Sequence, residues 1–243
     1  MIVLKSANIA AKQGNIRFGV LPSTVSFQIR EPGSALTHFA ALILMTAGAG
    51  PLLMRAREAG SARTMFSLAV FLLTACALYA ASTTYHTVVL CERKTRVFKK
   101  IDHMMIPVMI AGTYTPVCLL ALTGRTGKLL LLGIWSMALL AILFKAFWVT
   151  CPKWVSSALY LAMGWLCVLA MPALLAALPH EAFLWLLAGG IFYSAGALIY
   201  ALSPRSFNEA HPYFGSHEIF HVFIMAGTAC HYMLMFRFLA LLP

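Results

Sequence analysis

Seven long apolar runs divide this chain: Ala35–Met54, Met65–His86, Met104–Leu122, Leu129–Val149, Val155–Leu178, Phe183–Leu202 and Glu218–Leu242. Each approaches or exceeds the roughly 20 residues that a helix needs to cross a bilayer core of about 30 Å. Backbone amides in hydrocarbon must be satisfied within the segment, so the runs predict helices rather than open strands. Pro107, Pro116 and Pro172 fall inside runs and predict local bends. Gly48, Gly112, Gly164, Gly196 and Gly227 predict close helix contacts. The expected fold is therefore an all-α membrane protein, a seven-helix bundle over residues 31–243, preceded by a polar tail over 1–30. That tail lacks the continuous apolar stretch and small-residue cleavage site of a signal peptide.

Composition narrows the classes. Only 10% of residues are charged, against about 25% in soluble domains. A net charge of +11 would suit a nucleic-acid partner, but the basic residues lie almost entirely between the apolar runs. There they act on topology and lipid headgroups, so membrane lipids are the expected partners and nucleic acid is not. Of the 18 Lys and Arg, twelve fall on the N-terminal side of alternating crossings and six on the other. This bias predicts a cytoplasmic N-terminus and an external C-terminus. The six cysteines form no CxxC pair, which argues against a disulfide framework or a cysteine zinc site.

Ionisable groups inside spans mark function. Asp102 is the only aspartate and opens the third run. His86 closes the second, with Ser82 four residues earlier on the same helical face. His217 and His221 open the seventh, also on one face. Alternating crossings bring all five to one depth at the N-terminal side. Three imidazoles and a water suit tetrahedral zinc with an open position. Ser82 can partner a ligand histidine or orient Asp102, and the carboxylate can instead hold the water and take its proton. His38 is placed near the same end, with a supporting or helix-lining role. His103 is expected to turn toward the interface, His231 to make a buried hydrogen bond, and His180 and His211 to lie in loops.

His217-Glu218-Ile219-Phe220-His221 matches H-E-x-x-H, the zinc-protease helix. Its extended form fails, because Ile224 and Gly227 stand where Gly and a third His belong, and no aspartate follows. Glu218 then reads as an outer group, one helical step off the histidine face.

Taken together, several motifs resemble the bacterial hemolysin III family. They are Glu31 through Thr37-His38, Ser82-x-x-x-His86, Ile101-Asp102-His103 running to Ala111-Gly112-Thr113-Tyr114-Thr115-Pro116, and His217-Glu218-x-x-His221 with Ala226-Gly227. That family is similar to the adiponectin receptors of the progestin and adipoQ receptor group and, more distantly, to alkaline ceramidases. The resemblance implies zinc on His86, His217 and His221, with Asp102 bonded to its water, Ser82 in support, and residence in the cell (inner) membrane. Relatives carry Asn shortly before the Thr-His pair, where this chain has Ser34 or Ala35. The related enzymes cleave the amide of ceramide-like lipids, so a zinc-dependent hydrolase of a membrane lipid amide or ester is implied. Two rival readings are a receptor or membrane-stress regulator with structural zinc, and a cytolytic or pore-associated protein. Spans four to six are poor in polar residues, which disfavours a pore.

Overall fold

A computed structural model describes residues 28–211 and 214–242. Most of the expected tail, residues 1–27, lies outside the described residues. Among the described residues seven helices are long and apolar enough to cross a membrane. They are α1 (Pro32–Glu58), α2 (Ala62–Thr87), α3 (Glu92–Ala121), α4 (Arg125–Phe147), α5 (Lys153–Ala177), α6 (His180–Leu202) and α7 (Ser216–Leu241). No strand occurs among the described residues. A short helix, Arg205–Ala210, lies between α6 and α7.

Two boundaries correct the apolar-run reading. Helix α3 begins at Glu92, well before the run at Met104, so Asp102 sits inside it rather than at its start. Glu92, Arg93, Lys94, Arg96, Lys99 and Lys100 are polar but good helix formers, and hydropathy alone misses that. His180 likewise opens α6 instead of lying in a loop, whereas His211 lies beyond the end of the short helix.

Neighbours in sequence pack side by side from α1 to α4, α5 packs on α6, and α6 on α7. Helices α3 and α4 both meet α5, and α7 returns to α1, so the bundle closes on itself. The tightest core lies between α1, α2 and α7, where Leu52, Leu68, Phe71, Ala75, Leu234 and Met235 are fully buried. Leu36, Leu73, Leu132, Leu140, Leu169 and Phe147 face outward and are exposed. That many outward apolar side chains suit lipid contact and would leave a soluble monomer with an unusually large apolar surface.

Proline and glycine explain the irregularities. Immediately after Pro116, α3 loosens into a π stretch, Val117–Ala121. Helix α5 tightens into a 3₁₀ stretch, Trp165–Ala170, just before Pro172. Tyr114 of α3 bridges that break: its hydroxyl reaches the carbonyls of Gly164 (2.6 Å) and Met163 (3.1 Å) and accepts from the Cys167 amide (3.0 Å). Backbone groups freed inside the bundle are thereby satisfied.

Four of the five glycines expected at helix contacts are at such contacts; Gly164 is not, since nothing would meet a Cβ there. At Gly112 a Cβ would land on the Thr74 side chain of α2. Thr74 Oγ1 donates to Val70 O at 2.9 Å, so that side chain is not free to swing away. Gly112→Ala is expected to destabilise the bundle by about 1–3 kcal/mol, seen as a lower melting temperature in detergent. An unchanged transition would mean that α2 and α3 can part here without loss.

Candidate metal centre

Backbone pairing sets the site's frame. The segment entering α1 bonds to the end of α2, with Arg30 N donating to Thr87 O (3.3 Å) and Glu31 N to His86 O (2.9 Å). The Arg30 guanidinium lies 3.8 Å from the Tyr85 ring centroid. Glu31 is thus held beside His86, and its Oε2 accepts a hydrogen bond from His86 Nδ1. Burial pushes the Glu31 carboxyl up, but the hydrogen bond from His86 and the charge of Arg30 outweigh this and hold it below its ordinary value. An ionised carboxylate only accepts, so His86 carries its proton on Nδ1 and turns a bare Nε2 inward.

His221 is oriented by the same logic. Its Nδ1 lies 3.1 Å from Thr37 Oγ1. Thr37 has one hydroxyl proton, which goes to Ser34 O (2.9 Å) or Gly33 O (3.1 Å). Thr37 Oγ1 therefore accepts from His221 Nδ1–H, leaving His221 Nε2 as a lone pair. The His38 ring of α1 stacks on His221, 3.6 Å between centroids and 5° from parallel.

His86, His217 and His221 each bring one ligand atom to within 4.8 Å of the others. His86 Nε2 and His217 Nε2 are 3.4 Å apart. Two nitrogens bound tetrahedrally to zinc at 2.0–2.1 Å would be about 3.4 Å apart. The donor set and its spacing thus fit a metal ion of zinc's size. His86 and His221 are buried, and His217 is half-buried.

The other sequence candidates take definite places. Asp102 and Ser82 line the same cavity as His217 and His221, a space of about 160 Å³ that continues past Tyr193 to His231. Asp102 stands outside the three-histidine group. Ser82 Oγ is buried without a hydrogen-bond partner among the described residues. His231 makes its buried contact through Nε2, which donates to Leu186 O at 3.3 Å. His103 corrects the sequence reading: it is buried and lines the cavity instead of meeting the interface. Helix α3 is enclosed by α2, α4 and α5, so a 100° step from Asp102 still points inward.

Glu218 has both carboxylate oxygens engaged. Its Oε2 accepts from the Gly215 amide at 2.9 Å, capping α7, and its Oε1 accepts from Ser34 Oγ. Two contributors escaped the sequence reading, namely Glu31 as partner of His86 and Thr37 as partner of His221. The signal that could have found them is the polar set Glu31, Ser34, Thr37 and His38, spaced at helical turns where α1 begins.

Partner loss should weaken the centre without dismantling it. Glu31→Gln is expected to lower metal affinity about 10- to 100-fold, read by competition against a chromophoric chelator. Unchanged affinity would mean that the carboxylate does not tune His86.

Fold and site together define a multi-pass membrane protein with a buried three-histidine cluster able to chelate a metal ion. The chain belongs to the haemolysin-III related family, whose model matches residues 27–232. It is 37% identical over 205 residues to the "Hemolysin-3 homolog" of Bacillus subtilis (strain 168), covering 84% of this chain and 92% of that protein. It is 34% identical over 203 residues to the "Hemolysin-3" of Bacillus cereus, covering 84% and 89%. No solved structure matches the chain.

Proposed function

We propose that the protein is a zinc-dependent hydrolase of an amide or ester bond in a membrane lipid. The carrying observation is the placement of the histidines: His86 Nδ1 faces Glu31, His221 Nδ1 faces Thr37, and one ligand atom of each converges with His217. Three protein ligands without a fourth are the pattern of a catalytic rather than a structural zinc site. Zinc held there supplies a Lewis acid and lowers the pKa of water to about 7. Asp102 then takes the proton from the attacking water and passes it to the leaving amine or alkoxide, while the unpartnered Ser82 hydroxyl on the same cavity wall is free to donate to the carboxylate. The cavity beyond is walled largely by apolar side chains such as Leu78, Ile106, Val117 and Leu174, which suits an acyl chain.

The resemblance to adiponectin receptors and alkaline ceramidases supports the amide bond as the target. The twelve-to-six cation bias supports a cytoplasmic N-terminus, hence a centre at the cytoplasmic face of the cell membrane. The name of the B. cereus relative speaks of haemolysis. A pore here would need polar residues along the bundle, whereas the centre's polar groups gather at one end. The test incubates purified protein with N-acyl and O-acyl lipids, with and without a chelator. Release of fatty acid that stops on metal removal and returns with zinc is the expected result. Absence of release from every lipid by zinc-loaded protein would favour the receptor reading.

A further inference from the structure

A second cluster lies at the same end of the bundle as the histidines, apart from them. Lys145, in the last turn of α4, is fully buried. Its Nζ donates to Ser156 Oγ (2.5 Å) on α5 and to Cys151 Sγ (3.1 Å) in the connecting loop. Cys151 Sγ is also 3.3 Å from Ser156 Oγ. None of the ion pairs among the described residues includes Lys145. The nearest π faces, Phe144 and Tyr160, have ring centroids 5.7 and 5.8 Å away.

A buried ammonium without a carboxylate needs another countercharge. Among the described residues its hydrogen-bond partners are Ser156 and Cys151, and of these Cys151 is the more acidic group. Lys145 and Cys151 hold the same protons whether written as ammonium and thiolate or as amine and thiol. The contact therefore brings a sulfur nucleophile and an amine nitrogen within 3.1 Å, with one proton to pass between them. Cys151 retains 8% of its surface, beside the exposed Thr150 and Pro152, so a small oxidant reaches it more readily than a bulky reagent does.

We propose that Lys145 and Cys151 form an oxidative modification site, closing into a covalent sulfenamide cross-link when the protein meets a peroxide. In the first step the thiolate attacks hydrogen peroxide. An S–O bond forms, the O–O bond breaks, and the departing hydroxide takes a proton from the Lys145 ammonium and leaves as water. Sulfenic acids condense with neighbouring nitrogen. In the second step the Lys145 amine attacks Sγ, an S–N bond forms, and hydroxide leaves with the amine's proton as a second water. Sulfur is oxidised by two electrons and peroxide is reduced. Ser156 steadies both partners through its hydroxyl. The cross-link joins the end of α4 to the loop that starts α5.

The experiment treats the full-length protein in detergent with hydrogen peroxide and maps tryptic peptides by mass. The expected product is Leu129–Lys153 uncut at Lys145 and lighter by about 2 Da, the loss of two hydrogens. Dithiothreitol should restore cleavage at Lys145, a check that needs no variant to fold. Lys145→Arg retains a cation but not an amine nucleophile, and should leave a trappable sulfenic acid at Cys151 with no cross-link. The exposed Cys91 is the internal comparison and should oxidise without bridging. Ordinary oxidation of Cys151 with Lys145 still cleaved, or a thiol that peroxide leaves untouched, would overturn the proposal.

Discussion

Wild-type protein purified in detergent is expected to hold about one metal ion per chain, and His86→Ala close to none. The expectation follows from how few donors converge. Three imidazoles meet, and removing one leaves two, too few to satisfy a tetrahedral ion. The same change also strips Glu31 of its histidine partner and leaves its carboxylate with the 3.4 Å contact to Arg30 alone. His217→Ala/His221→Ala should give the same result from the other helix. His211→Ala, outside the cluster, should retain the ion and controls for adventitious histidine binding. Metal content by elemental analysis decides the matter. A folded wild-type protein that carries no metal and takes none up would remove the centre and the hydrolase reading with it.

Asp102→Asn should separate chemistry from binding. The side chain stays the same size in its cavity, and the three ligand atoms are untouched because Asp102 lies outside their group. Metal content should therefore hold while lipid hydrolysis falls about 10²- to 10⁴-fold, the usual worth of a positioned acid–base group. Loss of the metal alongside activity would show Asp102 to be a ligand. Retained activity would put the proton transfer elsewhere, with the cavity-lining His103 the next residue to vary.

The chain displays its architecture openly because lipid leaves so few choices. A run that spans hydrocarbon must be a helix, and alternation of spans then puts His86, Asp102, His217 and His221 at one end without any knowledge of packing. What stayed hidden depends on rotation and on neighbours. The start of α3 at Glu92 is masked by charged residues that favour helix as strongly as they oppose burial. The inward turn of His103 follows from α4 and α5 covering the face of α3 that a two-sided picture would give to lipid. The pairing of Glu31 with His86 rests on backbone bonds between chain segments 55 residues apart, and no local spacing encodes such a meeting. Lys145, a cation inside the fourth apolar run, is wholly buried within α4 because a cysteine and a serine across the turn receive its ammonium.

The ligands' distribution also carries a consequence for how the protein is made. His86 leaves the ribosome early, on the second span; His217 and His221 come on the last, which packs against α1, the first. A nascent chain with six spans inserted offers a single imidazole of the three. The ion can thus be captured in full only after synthesis ends and α7 slides in beside α1, and its arrival would seal the ring. Metal loading would then be the closing event of biogenesis, and a chain stalled before its last span would have His86 alone to offer an ion.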